Sequence, residues 1–259
     1  MRRVLFHIYG PFSIHSYGLA IAIGLLIAVS LIKRHQWFLQ LKLQDRFAEI
    51  ILLSICAALL GGRLLFLLTE PQKNYSFANM TAFWEGGLSL LGAIIGVLTV
   101  LPLYLKRAGI PILRFFDLIA LHAALLQSIA RVGCFFAGCC YGRSTTFPWG
   151  IVYTDINSSA PLYQCIHPAQ LYSATILLCI FVLHYFILQK VFQKPGQILC
   201  SYMICMSAER FLTDFWRADQ SYLSGGVYHL FSSNQWIALS IFTSSCIAFF
   251  WISTRDTKS

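Results

Sequence analysis

Long apolar runs alternate with short polar segments along the whole chain. A run of about 20 apolar residues is long enough to cross about 30 Å of hydrocarbon as a helix. Runs of about this length lie at residues 13–32, 47–68, 87–105, 113–130, 168–188, 196–215 and 235–253. The pattern predicts an all-α polytopic membrane protein, a bundle of about seven transmembrane helices that forms a single domain over residues 1–259.

The composition agrees with this class. Of the 259 residues, 58% are hydrophobic and 11% are charged, whereas soluble domains average about 25% charged residues. No cleavage site of small residues precedes Lys33 and Arg34, so we expect the first run to be a retained helix rather than a signal peptide. An ordinary soluble domain is excluded.

The net charge of +9 is divided unevenly between the two ends of the predicted helices. One side holds Lys33, Arg34, Lys42, Arg46, Lys106, Arg107, Arg114, Lys190, Lys194, Arg255 and Lys258. The opposite loops hold Arg2, Arg3, Lys73, Arg143 and Arg217. The positive-inside rule therefore predicts an N-terminus outside and a C-terminus in the cytoplasm. The basic charge indicates topology and anionic lipid rather than nucleic-acid binding.

Charged residues within the apolar runs are few. Each costs on the order of 2.5–3.5 kcal/mol at the centre of a membrane helix, so each is expected to face a cavity or a partner. Those within the runs or at their outer ends include Arg63, Asp117, Arg131, Glu209, Arg210, Asp214 and Arg217. Nearly all of them lie towards one face of the predicted membrane.

Arg210, Asp214 and Arg217 have the spacing i, i+4, i+7, which stacks them on one helix face. One interpretation is a self-neutralising row that lets the helix end among the headgroups. The other is that one arginine is left to bind an anion, and Arg131 favours this because no acid lies near it in sequence. Two guanidinium groups match a phosphodiester headgroup, since each planar fork pairs two oxygen atoms.

The segment "ARVGCFFAGCCYGR" at residues 130–143, the signature segment, is polar and rich in glycine. Gly133, Gly138 and Gly142 let the chain leave the helix and approach a ligand closely. Irregular backbone at membrane depth is tolerated where it is buried in protein or lines a cavity. The signature segment is therefore expected to line one.

Three smaller motifs fit such a cavity. "HSYG" places His15 and Tyr17 at the outer start of the first helix, either as interfacial anchors or as groups lining the site. "WEGGLSLLGAIIG" at residues 84–96 contains two glycines at a spacing that lets helices pack closely, Gly92 and Gly96. "HPAQLY" at residues 167–172 fits a helix start, with Pro168 in the first turn.

The nine cysteines fall into two groups. Those inside predicted spans are expected to act as small hydrophobes: Cys56, Cys179, Cys200, Cys205 and Cys246. Those on the predicted outer side, which is oxidising in a bacterium, are compatible with a disulfide: Cys134, Cys139, Cys140 and Cys165. Thiols and His167 are zinc-ligand types, but the spacing C-x4-C-C lacks a second pair, so neither a metal nor a cofactor is predicted.

In their order along the chain, "HSYG", "GGRLLF", "WEGGLSLLGAIIG", the signature segment, "HPAQLYS" and "ERFLTDFWRAD" resemble the motifs of bacterial prolipoprotein diacylglyceryl transferases. The resemblance covers almost the whole chain, and R-x-G-x-F-x-x-G-x-x-x-G at residues 131–142 is its most specific part. It implies a seven-helix, multi-pass protein of the bacterial inner membrane. It also implies transfer of a diacylglyceryl group from phosphatidylglycerol to the lipobox cysteine thiol of preprolipoproteins, the first step of bacterial lipoprotein maturation, with release of glycerol phosphate.

Carried over residue by residue, the resemblance implies three catalytic residues, Arg131, Arg210 and Tyr17. The two arginines hold the phosphatidylglycerol headgroup, and Tyr17 lies beside them. We expect Asp214 to orient one of the arginines near it. The predicted substrate-binding set is Arg131, Arg210, Gly142, His15, Asp214 and Arg217.

Several positions depart from the family pattern: Cys134, Cys139, Leu91, Ser173 and Asp214 stand where Asn, Glu, His or Tyr, Glu and Glu are usual. The base that accepts the thiol proton is left open between Tyr17, His15 and water. A thiol of pKa about 8.5 is a few per cent thiolate at pH 7, so a missing base costs roughly 30-fold, about 2 kcal/mol. In other enzymes, arginines that hold a phosphate raise the reaction rate by 10³ or more. The transfer reaction is therefore expected to proceed even without a dedicated base.

Two alternatives remain open. The first is a family paralogue with a different lipid donor or acceptor, motivated by the cysteines at positions 134 and 139. The second is a non-enzymatic lipid-binding or transport protein, although transporters usually have two related halves with broken helices, and no such halves are visible here.

Overall fold

The computed structural model describes residues 4–9, 12–69, 89–218 and 230–255. Most of them are helical. The helices are α1 (Ser16–Arg34), α2 (Gln36–Gln40), α3 (Phe47–Thr69), α4 (Leu90–Arg107), α5 (Ile112–Ala137), α6 (Ala169–Val191), α7 (Gln197–Asp214) and α8 (Ser233–Thr254). Within α6, residues Leu183–Leu188 are π-helical.

Two short antiparallel strand pairs accompany the helices. The first joins β1 (Val4–Tyr9) to β2 (Phe12–His15), and the second joins β3 (Ile151–Val152) to β4 (Cys165–Ile166). The all-α prediction missed both pairs because strands of two to six residues leave no periodic signal beside apolar runs three times as long.

A long helix occupies each of the seven predicted runs. Five of them, α1, α3, α5, α6 and α8, are long and apolar enough to cross a membrane. The prediction of a mostly helical chain with several such helices is confirmed; seven crossings, the terminal orientation and a single domain stay predictions. Four of the basic residues used to predict the orientation lie outside the described residues: Arg2, Arg3, Lys73 and Lys258. The first five residues of the motif "WEGGLSLLGAIIG", 84–88, also lie outside them.

The chain contains two compact units, His35–Phe115 and the combination of Met1–Arg34 with Phe116–Ser259. In the first unit, α3 and α4 pack through small residues. A Cβ atom on Gly92 would lie 2.6 Å from the Cβ of Leu65, and one on Gly96 would lie 3.2 Å from the Cα of Gly61. The close packing predicted from the spacing of Gly92 and Gly96 is confirmed.

In the second unit, α1 packs against α5 at two glycines. A Cβ on Gly24 would lie 2.9 Å from the side chain of Leu126, and one on Gly133 would lie 2.6 Å from the Cβ of Ala20. The Cβ on Gly133 would also lie 3.3 Å from the Cα of Tyr17. The first turn of α1 is thereby held beside the last two turns of α5.

Asp117, one of the acids inside an apolar run, has a structural role. It is fully buried and accepts hydrogen bonds from the backbone N–H groups of Gly196 (2.7 Å) and Leu199 (2.8 Å). These N–H groups lie at the start of α7, where the first donors have no intrahelical partner and the helix dipole favours negative charge. The expectation that a charge in a span meets a partner holds for Asp117.

Replacing Asp117 with alanine is expected to destabilise the protein by about 2–4 kcal/mol, because two buried N–H donors lose a charged acceptor. The measurement is the unfolding temperature in detergent. Asp45→Ala, which removes an exposed acid, is the matched control and should leave that temperature nearly unchanged. Equal unfolding temperatures for the two variants would show that Asp117 does not cap α7.

Candidate functional site

Arg131 lies in the last two turns of α5 and is half-buried. Among the residues that the structure describes, none forms a hydrogen bond or an ion pair with its guanidinium group. It is within electrostatic range of Arg210, and also of Cys140 and Tyr17. A guanidinium withdrawn from water without a partner is costly, so this position favours a bound anion.

Arg210 is paired with an acid of its own helix. Its Nη2 lies 3.4 Å from Oδ1 of Asp214, and the Arg210 side chain stays one quarter exposed while that of Asp214 is fully buried. The second carboxylate oxygen of Asp214 accepts a hydrogen bond from the Ser232 hydroxyl. Since Ser232 is the N-cap of α8, Asp214 joins the end of α7 to the start of α8 and holds Arg210 between them.

Three guanidinium groups meet at this end of the second unit: Arg131, Arg210 and Arg217, the arginine cluster. Each is within electrostatic range of another, and Arg217 is buried. The predicted row is not on one helix face, because α7 ends at Asp214 and Arg217 lies beyond it, in the bridge to Gly142. Of the two interpretations of the row, the pairing of Arg210 with Asp214 agrees with the first. The position of Arg131 agrees with the second, because it adds a cation that the row does not neutralise.

The signature segment holds Arg217 through its backbone. Gly142 and Arg217 form an antiparallel bridge, and the N–H of Arg143 donates to the Trp216 carbonyl at 2.8 Å. On the opposite side, the N–H of His167 donates to the Arg143 carbonyl at 2.9 Å. Residues 141–143 therefore lie as an extended segment between residues 216–218 and residues 165–167.

Gly142 has no room for a side chain in this arrangement. A Cβ atom there would collide with the backbone carbonyl of His167 and lie 2.7 Å from the Cβ of His167. Gly138, earlier in the segment, adopts φ +74° and makes the turn that reverses the chain after α5. These two glycines thus serve a close approach and a left-handed turn, which other residues cannot supply without strain.

The structure places the two candidates from the "HSYG" motif differently. Tyr17 is 42% exposed and lies within electrostatic range of Arg131. His15 is exposed at the end of β2, and within the described residues it forms no hydrogen bond or ion pair with the arginine cluster. The geometry therefore gathers Arg131, Arg210, Arg217 and Tyr17 and leaves His15 aside.

A buried polar pair next to the cluster was missed. The Ser173 hydroxyl on α6 donates to Oε1 of Glu209 on α7 at 2.5 Å, and both residues are buried. In sequence, Ser173 is a departure from the family pattern, and Glu209 is one of the few charged residues in an apolar run. No local signal could have joined them, because 36 residues separate them along the chain.

Three thiols of the signature segment also come together, although spacing alone predicted no metal site. The sulfur atoms of Cys134, Cys139 and Cys140 lie within 4.8 Å of one another, and His167 is not part of this group. None of the nine cysteines is bridged. Hydrogen bonds from the Cys134 and Cys139 thiols, followed by the charges of Arg217 and Arg131, lower the pKa of Cys140.

Buried partners fix the backbone around these thiols. The Tyr153 hydroxyl donates to the carbonyl of Phe135 at 2.8 Å, and burial raises the pKa of Tyr153 to about 12. Gln170, which is 2% exposed, donates from Nε2 to the carbonyl of Cys139 at 2.8 Å. This part of the signature segment is therefore held rigidly on both sides of its turn.

An aromatic groove of about 560 Å³ lies next to the signature segment and is lined by Phe147, Trp149, His167, Tyr172, Thr175, Ile176 and Trp216. The Tyr172 hydroxyl accepts a hydrogen bond from the Trp149 indole at 2.8 Å and lies 3.1 Å from Nδ1 of His167. Because Trp216 follows the end of α7 and His167 contacts Gly142, the groove is joined to the backbone that carries Arg217. Its apolar walls suit an acyl chain or an apolar peptide.

Removing the Asp214 carboxylate is expected to loosen the junction of α7 and α8. Asp214→Ala leaves the Arg210 guanidinium and the Ser232 hydroxyl without their shared acceptor, and about 2 kcal/mol of stability should be lost after allowing for the partial exposure of Arg210. The unfolding temperature in detergent measures the effect. Asp214→Asn, which retains an acceptor for Ser232, should lose less, and an equal loss in both variants would contradict this assignment.

A mostly helical chain with five described helices long and apolar enough to cross a membrane belongs to the class of multi-pass membrane proteins. The comparisons with known proteins define the family within this class. The family model of prolipoprotein diacylglyceryl transferase matches residues 3–251. The chain belongs to this family.

Curated relatives match this chain along most of their length. A phosphatidylglycerol–prolipoprotein diacylglyceryl transferase of Clostridium tetani is 32% identical over 241 residues, which cover 92% of this chain and 93% of the relative. The enzyme of that name from Bordetella avium is 32% identical over 259 residues, covering 96% and 94%. A relative from Clostridium perfringens, numbered 2 in its name, is 31% identical over 249 residues, covering 93% and 91%.

Proposed function

We propose that this chain transfers the diacylglyceryl group of phosphatidylglycerol to the lipobox cysteine thiol of preprolipoproteins, the first step of bacterial lipoprotein maturation. The observation that carries the proposal is the half-buried Arg131 guanidinium, which has no ion-pair partner among the described residues and lies within electrostatic range of Arg210. The names of the full-length relatives agree with this reaction.

In this reaction the sulfur of the acceptor attacks the glyceryl carbon that is bonded to the phosphate oxygen. A carbon–sulfur bond forms, the carbon–oxygen bond breaks, and glycerol phosphate leaves with the bonding electron pair. Negative charge therefore grows on the phosphate in the transition state. Arg131 and Arg210 would hold that phosphate through their planar forks, and donors already in place in a dry cleft are the largest catalytic contribution that such a site offers.

The remaining groups would position these arginines. Asp214 fixes Arg210 by the 3.4 Å ion pair, and the bridge between Gly142 and Arg217 sets the position of the third guanidinium. Arg210 interacts electrostatically with two acids, Asp214 and Glu209, whereas Arg131 has no ion-pair partner among the described residues and would be the main attachment point for a phosphodiester. Arg217 would add to the field that stabilises the leaving phosphate.

The thiol proton would pass to water, either directly or through the Tyr17 hydroxyl. Tyr17 lies within electrostatic range of Arg131 and is open enough to meet a substrate. His15 forms no hydrogen bond or ion pair with the arginine cluster within the described residues, so it is the weaker choice. A few per cent of a free thiol is already thiolate at pH 7, so the lack of a base lowers the reaction rate only roughly 30-fold.

The proposed setting is the bacterial inner membrane, crossed seven times, with the N-terminus outside and the C-terminus in the cytoplasm. The lysine and arginine distribution supports this orientation. The last turns of α5 and α7, which carry Arg131 and Arg210, would then face the outer leaflet. Phosphatidylglycerol and secreted preprolipoproteins would meet there, with the aromatic groove taking an apolar part of one substrate.

A transfer assay tests the proposal. Purified protein in vesicles containing phosphatidylglycerol is given a lipobox peptide, and mass spectrometry should find one diacylglyceryl group on the peptide cysteine with an equal amount of glycerol phosphate released. A peptide with serine in place of that cysteine and vesicles without phosphatidylglycerol are the controls. Absence of the adduct in folded protein would contradict the proposal.

The cysteines at positions 134 and 139 favour one second candidate, a paralogue that uses another phospholipid donor on the same scaffold. The same assay separates the two functions when phosphatidylglycerol is replaced by other phospholipids. An adduct that forms only with another donor would assign the paralogue function.

A further inference from the structure

The thiol cluster, Cys134, Cys139 and Cys140, is a group of soft ligands with no role in the proposed reaction. Its three sulfur atoms lie within 4.8 Å of one another. Cys134 is in the last turn of α5, and the other two follow the turn at Gly138. Cys134 is buried, and Cys139 and Cys140 are half-buried.

We propose that the thiol cluster is a binding site for a thiophilic d10 metal ion of the Zn²⁺ class, with three sulfur ligands and a fourth position left open. Zinc–sulfur bonds of about 2.3 Å place the sulfurs of a tetrahedral site about 3.8 Å apart. The sulfurs of the cluster therefore need to approach one another by at most about 1 Å, which side-chain rotation can supply. A set made only of sulfur selects soft ions over Mg²⁺ or Ca²⁺.

The backbone around the cluster is held as a metal site requires. Cys140 adopts φ +56°, a left-handed conformation that costs on the order of 1–2 kcal/mol in a residue other than glycine. Buried Gln170 and Tyr153 hold the carbonyl groups of Cys139 and Phe135. Strain that surrounding contacts maintain, together with fixed ligand-bearing backbone, is typical of functional sites.

Charge also favours a metal over simple packing of thiols. Three thiolates with one dication carry a net charge of about −1, and Arg217 and Arg131 lie within electrostatic range of Cys140. Packing as small hydrophobes accounts for the buried Cys134. It does not account for two half-buried cysteines beside arginines, where an anionic metal–thiolate centre is stabilised.

The open fourth position gives the ion a chemical use, which rests on the proposed function. Catalytic zinc sites keep one position for water or substrate, and a thiol that binds there gives up its proton. The acceptor cysteine would enter this position as a metal-bound thiolate, its proton passing to water. The roughly 30-fold loss expected for an enzyme without a base would then not arise.

The test is a titration of reduced, metal-free, full-length protein in detergent with Cd²⁺ alone, followed by the ultraviolet thiolate-to-cadmium charge-transfer band. We expect one ion per chain, with Zn²⁺ in excess competing for the same site. Cys134→Ser, Cys139→Ser and Cys140→Ser should each weaken binding at least 10-fold, since changes outside the ligands themselves already cost 10- to 100-fold. Cys165→Ser removes a half-buried thiol outside the cluster and should bind like the unchanged protein.

A second measurement keeps the test valid where a serine variant fails to fold. Bound Zn²⁺ should slow alkylation of the three cluster cysteines in the unchanged protein, as read by peptide mass mapping, while the rate at Cys165 stays the same. Absence of the band, binding that is weak and not stoichiometric, or protection of other cysteines would overturn the proposal.

The metal site and the proposed function fail separately. Binding is measured without lipid or peptide, so loss of Cd²⁺ binding in a protein that still transfers lipid refutes the metal site alone. Stoichiometric binding in a protein that transfers no lipid refutes the function alone. Where both hold, stripping the ion with a chelator should slow transfer about 30-fold, and Zn²⁺ should restore it.

Discussion

Arg131→Ala is expected to slow diacylglyceryl transfer by about 10³-fold while the protein stays folded, because one of the two forks that hold the leaving phosphate is lost. Stability should not suffer, since Arg131 has no ion-pair partner among the described residues whose loss would leave a buried charge. The measurement is the initial rate of adduct formation on a lipobox peptide, with the unfolding temperature taken from the same preparation.

Two further variants separate charge from geometry at this position. Arg131→Lys keeps the charge but loses the planar fork, so its rate should fall between those of the alanine variant and the unchanged protein. Arg107→Ala removes an exposed arginine at the end of α4 and should leave the rate unchanged. If Arg131→Ala kept more than a tenth of the rate, the arginine would not hold the phosphate.

Gly142→Ala is expected to reduce transfer at least 100-fold, although it adds one methyl group. The new Cβ would lie 2.7 Å from the Cβ of His167 and collide with the His167 carbonyl, so the backbone bridge to Arg217 has to move. A displacement of about 1 Å in a group near the reacting centre can cost 10²-fold in rate. Overpacking of this kind should also cost about 1–3 kcal/mol of stability.

Gly18→Ala is the matched control for this change. Nothing lies within 4 Å of the Cβ that it would add, and α1 contains the position, so alanine should be neutral or slightly stabilising. Transfer rates for both variants are read in the same assay. Equal rates for Gly142→Ala and Gly18→Ala would show that the contact with His167 does not govern the site.

The helices could be predicted because the signal for them is local. Each apolar run has a length and composition that only a buried or membrane helix satisfies, and each holds one of the long helices. The start of α6 directly after Pro168 and the close packing at Gly92 and Gly96 could be predicted for the same reason. The physical cause of each lies within a few residues.

The contacts that build the site depend on distant parts of the chain, and so they could not be predicted. The carboxylate of Asp117 caps a helix that begins 80 residues later, and Ser173 meets Glu209 across two helices. If the segment from Cys134 to Cys140 were straight, the spacing C-x4-C-C would not bring the three sulfur atoms together. The chain instead reverses at Gly138, which brings three sulfurs together.

The arrangement of the arginines could be predicted from the sequence only in part. The sequence predicts that Arg131 and Arg210 lie at similar depth, because each stands near the end of an apolar run on the same predicted side. It does not predict that Asp214 would be divided between Arg210 and Ser232. That arrangement gives Arg210 an ion-pair partner that fixes its position, whereas Arg131 has none among the described residues.

The central claim is that Arg131 and Arg210 grip one phosphate together, and solid-state NMR can measure this directly. Protein with ¹³C-labelled arginine is placed in phosphatidylglycerol bilayers, and dipolar recoupling between guanidinium carbon and phosphorus is recorded, with Arg131→Lys and Arg210→Lys used to assign the signals. Forks in hydrogen-bond contact predict carbon–phosphorus distances below about 5 Å at both residues. A distance that short at only one of them, or at neither, would contradict the account.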